Sequence, residues 1–79
     1  NVAGRSEVRR YFQPVYLRIE QADLPAEDKA DLKDEVRALE AEVAKGEQAD
    51  AGALGKRLRN IRRIAPDILD VALATLQGP

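Results

Sequence analysis

The chain has 79 residues, which is enough for one small domain and excludes a cofactor-binding fold joined to a separate substrate domain. Its 44% hydrophobic and 34% charged residues are the composition of a folded helical protein, and the absence of Cys and His removes a thiol nucleophile, a disulfide framework, an imidazole base and the usual zinc site. The net charge of −1 hides opposed blocks: residues 1–19 carry four arginines against one glutamate, 20–50 eleven acids against four bases, 51–65 five bases and no acid, and 66–79 two aspartates.

The first helical signal is Val8, Tyr11, Phe12, Val15, Tyr16 and Ile19, spaced as one face of an α-helix over 5–22. Pro14 inside it predicts either a kink or a helix that starts only near the proline. Leu24-Pro25 with Glu27 and Asp28 reads as the start of a second helix, over 25–45, with proline at the first helical position and Gly46 as the stop. Its seam is Leu32, Val36, Leu39 and Val43, and the three-apart pairs Asp34 with Arg37 and Arg37 with Glu40 flank it. Asp50 is the better cap of a third helix over 50–64, whose stripe of Leu54, Leu58, Ile61 and Ala65 lies opposite a basic face. Pro66 turns a corner into a fourth helix over 66–77, and Gly78-Pro79 ends it.

The fourth helix is unlike the others. Ile68, Leu69, Val71, Ala72, Leu73, Ala74 and Leu76 cover most of its circumference, whereas a helix on the surface of a monomer shows a polar face. A bundle this small leaves every helix partly exposed, and each large side chain kept in water forgoes about 1.5–3 kcal/mol of burial. That imbalance predicts self-association or docking.

The basic run Lys56, Arg57, Arg59, Arg62, Arg63 is the second interaction candidate. Arg59 and Arg63, four apart, are spaced to grip phosphates, but no aromatic residue is interleaved with the cations as in single-strand binders. Pairing with the acidic second helix and with Asp67 across the corner is the blander alternative. Arg9, Arg10 and Arg18 near Tyr11 and Tyr16 read as snorkelled side chains around a ring-filled core. Glu27, Asp31, Asp34, Glu35 and Glu42 lie on an exposed helix with nothing to perturb them, so acid/base or metal chemistry is not expected of them. Ser6 and Thr75 have no base beside them, and Gly55-Lys56 is followed by Arg57 where a phosphate loop has Ser or Thr.

The stretch Leu58-Arg59-Asn60-Ile61-Arg62-Arg63-Ile64-Ala65-Pro66-Asp67-Ile68-Leu69-Asp70-Val71-Ala72-Leu73-Ala74-Thr75-Leu76 resembles a helical segment of bacterial multidomain proteins, and Tyr16 to Lys45 is similar to what precedes it there. Such modules resemble the small helical adaptor domains of bacterial signalling and defence systems, called effector-associated or death-like, which implies homotypic association. The resemblance departs from eukaryotic death domains, which have six helices where this chain offers four. Asn1-Val2-Ala3-Gly4 resembles the tail of an Asn/Gly-containing β-repeat.

The expectation is therefore an all-α, compact four-helix bundle, or three long helices plus a short one, over 5–79, with 1–4 the tail of a preceding segment. Its core should hold Val8, Tyr11, Phe12, Val15, Ile19, Leu32, Val36, Leu39, Val43, Leu54, Leu58, Ile61, Leu69 and Leu73. No initiator Met is present, which reads as an excised or processed chain, and no apolar run approaches the roughly 18 residues of a membrane span. With no signal-peptide pattern either, the setting expected is cytoplasmic. The function expected is a non-enzymatic interaction module without cofactor, metal or small-molecule substrate. It would form a homo-oligomer or dock a protein through Ile68, Leu69, Val71, Ala72, Leu73 and Leu76, with Arg59, Arg62 and Arg63 steering. Nucleic-acid binding through the basic third helix and a spacer role in a longer chain are the alternatives.

Overall fold

The computed structural model of the chain describes residues 5–77, which form α1 (Arg5–Gln21), α2 (Ala26–Val43), α3 (Ala51–Ile64) and α4 (Pro66–Gln77), with one 3-10 turn at Gly46–Gln48. No strand occurs among the described residues, and no helix is long and apolar enough to cross a membrane. This is the four-helix bundle expected from the spacing, with each end within two residues of its expected place. The tail expected at 1–4 and the Gly78-Pro79 stop lie outside the described residues.

Proline and aspartate set the starts as physical chemistry requires. Pro25 stands one place outside the position expected for it: with φ −58° and ψ 152° it is the residue before the helix, and its carbonyl accepts the Lys29 N–H at 3.0 Å. Asp50 caps α3, its carboxylate accepting the Gly52 N–H at 3.0 Å. Ala65, extended at φ −153° and ψ 95° as a residue before proline prefers, is the single hinge between α3 and α4. Helix α1 continues through Pro14, which is solvent-exposed, so water can satisfy the Arg10 carbonyl that proline leaves without its donor.

The helices close a ring in which α1 packs on α2 and α4, and α3 packs on the same two. Its centre is Val8, Phe12, Val15 and Ile19 from α1, Leu32, Val36 and Leu39 from α2, Ile61 from α3, and Ala65, Ile68 and Ala72 at and beyond the corner. Val43, Leu54 and Leu58 are half-buried at the margin.

Expected core placements on two helices are corrected. Tyr11 is 58% exposed, because one residue is ~100° of helical rotation and Phe12 takes the inward position. Leu73 is 37% exposed and Leu69 only half-buried, because the inward stripe of α4 is Ile68 and Ala72, one residue earlier. The hinge at Ala65 and the start at Pro66 fix that rotation. Since both stripes are apolar, spacing alone does not choose between them.

The turn from α2 to α3 corrects a third expectation. Helix α2 ends at Val43, before Gly46, whose φ of +63° is the left-handed conformation that glycine adopts freely and that reverses the chain here. Beneath this turn Glu42 is buried, not exposed: one carboxylate oxygen accepts the Asp50 N–H at 2.7 Å and the other the Lys45 ammonium at 3.2 Å. These bonds, the Asp50 amide first, hold the Glu42 carboxyl below its ordinary value of 4.5. A depressed folded-state pKa adds stability that is complete above 4.5 and is lost as pH falls through the folded value. Thermal melts should therefore drop as pH falls below about 4.5, and Glu42→Gln, which cannot titrate, should show a shallower drop. An equal slope in the two proteins would remove Glu42 from the acid transition.

Candidate protein-interaction surface

Helix α3 divides its side chains between two neighbours. Arg57 and Asn60 turn to α2, where the Glu35 carboxylate accepts both, Arg57 at 3.0 Å and Asn60 at 3.2 Å. Glu35 and Glu42, seven residues apart, thus share the edge of α2 that faces α3 and its capping turn. On the other side Leu58, Arg59 and Arg62 face α4.

There they meet Leu69 and Leu73 around a shallow hollow of about 120 Å³. Leu58 and Leu69 are half-buried and Leu73 exposed, so the floor is apolar and open. Arg59 and Arg62 form its rim. Both are exposed, and neither makes an ion pair or a side-chain hydrogen bond among the described residues, although α4 carries Asp67 and Asp70. The Arg59 guanidinium lies 3.3 Å from where a β-carbon on Gly55 would sit, so the glycine leaves room for it to fold back along α3.

The nine residues expected to interact are thus sorted by burial. Leu69, Leu73, Arg59 and Arg62 line one hollow. Ile68 and Ala72 belong to the core and offer no surface, and Val71 and Leu76 are half-buried. Arg63 is exposed outside the hollow, and no ion pair joins it to Asp67. Leu58, expected in the core, lies half-buried in the floor, and its spacing does not show this, because which neighbour a half-buried leucine faces depends on where α4 lands.

Further concavities lie among the described residues. One of about 560 Å³ lies at the end of the bundle, between the end of α1, Asp23-Leu24 and the α3–α4 corner, with Arg18 and Asp67 in its wall. Two chain segments distant in sequence, 18–24 and 64–68, build it, so no local pattern announces it. Its charges are of both signs, which gives no preference to a partner of either.

The second, about 180 Å³, is lined by Arg9, Arg37, Glu40 and Ala41. Near Glu40 lies Tyr16, whose hydroxyl is buried between α1 and α2 with its oxygen unpartnered, as is Glu40 Oε2. The carboxylate is near enough to act on the phenol without the geometry of a good hydrogen bond. Burial first, then Glu40, pushes the Tyr16 pKa up to about 12, against the pull of Arg37 and Arg9. Arg37 bonds Asp34 at 2.6 Å as expected, and Glu40 faces the tyrosine rather than that arginine. Lys33 pairs with Glu20, and the Lys29 ammonium donates to the Glu20 carbonyl at 2.8 Å, tying α2 to the end of α1. These are internal seams of the bundle.

No curated protein and no solved structure matches the chain significantly, and the finer likeness to effector-associated or death-like modules finds no support in these comparisons. A family model does match, over residues 9–79, from the first turns of α1 through the whole of the ring just described. The chain belongs to the family described as ternary complex associated domain 2.

Proposed function

We propose that the domain is a non-enzymatic protein–protein interaction module that docks its partner over the hollow between α3 and α4. The observation that carries this reading is the apolar floor of Leu58, Leu69 and Leu73 left open beside two arginines without ion-pair partners among the described residues. An exposed apolar patch rimmed by polar groups marks an interaction site, because covering it removes apolar area from water while the rim selects what covers it. The family's description, with its reference to a ternary complex, supports the same class of function.

Self-association through α4 is the second reading, favoured by the exposure of Leu73 beside half-buried Leu69. Photo-crosslinking from position 73 in native cells separates the two, with position 27 on the exposed side of α2 as control. The expected result is one identified protein crosslinked from position 73 and not from 27, whose purified form binds the domain and loses at least about tenfold in affinity to Leu73→Asp. Crosslinks between copies of the chain would favour self-association. Crosslinks to nucleic acid, or the same products from both positions, would overturn the docking reading.

A further inference from the structure

We propose that the occupant of the α3/α4 hollow is an amphipathic helix of another protein, with an apolar stripe flanked by Asp or Glu. The proposal rests on the docking reading above and adds the chemistry of the partner. Size comes first: about 120 Å³ is far below the 300–1,000 Å³ of ordinary small-molecule pockets, and it takes one branched apolar side chain as an anchor. Shape comes second, since two helices side by side leave a groove into which a third lays its apolar face.

Charge then selects the occupant. Arg59 and Arg62 are exposed on one rim and make no ion pair among the described residues, and a guanidinium fork is matched by a carboxylate. A second copy does not supply this combination. Hollow facing hollow brings four guanidiniums together, two from each copy, and the exposed Asp67 and Asp70 of α4 are not among the residues that line it. The other large apolar side chains exposed among the described residues, Tyr11 and Leu17, lie on α1 with exposed Arg9, Arg10 and Arg18, so they too would bring cations to cations. The exposed side of α2 has Glu27, Asp31 and Asp34 but only Ala26 and Ala30 as apolar groups, too small to fill the floor. A phosphate backbone would satisfy the arginines and leave Leu58, Leu69 and Leu73 in water.

The test uses the 79-residue chain and two synthetic helical peptides with the same leucine stripe, one flanked by Glu and the other by Lys, beside a short DNA duplex. Amide and methyl NMR shifts locate binding. The Glu peptide should move the resonances of Leu58, Leu69 and Leu73 and bind at least about tenfold tighter than the Lys peptide. The pair Arg59→Glu with Arg62→Glu should reverse that order, while circular dichroism shows the bundle unchanged.

Equal binding of the two peptides, failure of both to move these resonances, or equal response to the duplex would overturn the proposal. So would movement of Leu73 on merely concentrating the chain, which would place a second copy in the hollow. The docking reading fails separately: a protein crosslinked from position 73 whose contact segment lacks carboxylates would keep the surface and discard the acidic helix.

Discussion

Phe12→Ala should leave little of the bundle folded at physiological temperature, whereas Tyr11→Ala, one residue away, should be nearly silent. Phe12 is 1% exposed at the centre of the ring, and truncating a buried phenylalanine costs about 3–5 kcal/mol through lost transfer energy and the cavity left behind. A domain of 79 residues holds in total on the order of 4–12 kcal/mol, so this one change removes a large part of it. At about 4–8 °C per kcal/mol for a chain this size, the melting temperature should fall by about 12–40 °C. Tyr11 keeps more than half its surface in water and should cost less than about 1 kcal/mol. Thermal melts followed by circular dichroism check both. Comparable losses in the two variants would mean that α1 is rotated away from the orientation described.

The same contrast shows how much of the molecule is legible in its sequence. Starts and stops are legible because they are local: Pro25, Asp50 and Pro66 act on their own backbone whatever the tertiary structure does. The inward face of α2 is legible because charged residues and alanines bound the seam on both sides, and the seam then has one orientation. Tyr11 fails because an aromatic beside the seam looks apolar on any scale, although a ring at the margin can stay in water.

Glu42 fails for the opposite reason. A carboxylate looks like surface, and it is the backbone N–H of Asp50, eight residues on, with the Lys45 ammonium, that makes its burial favourable. The seven-residue spacing of Glu35 and Glu42 was the available signal, since it places both on one edge of α2. What each meets there depended on the turn at Gly46. The interaction surface is half legible in the same sense. Apolar excess in α4 and unbalanced arginines in α3 are both visible in the sequence, but that Leu69, Leu73, Arg59 and Arg62 share one hollow follows only from the ring.

The rotation of α4 is where fold and function meet, and Ala72→Asp against Leu73→Asp decides it. Ala72 has no exposed surface, so an aspartate there places a carboxylate in the core without a partner, at a cost of several kcal/mol that a bundle this small does not tolerate. Leu73 is 37% exposed on the hollow side, and a carboxylate at that position stays in water at about 1 kcal/mol or less. Ala72→Asp should thus lose cooperative melting and helical signal, while Leu73→Asp should keep the fold and lose the apolar anchor of the docking face. Partner loss in Leu73→Asp is then attributable to the surface and not to unfolding. The reverse pattern, with Leu73→Asp unfolded and Ala72→Asp intact, would turn α4 by about one residue, bury the leucine floor, and leave Arg59 and Arg62 without an apolar site to guard.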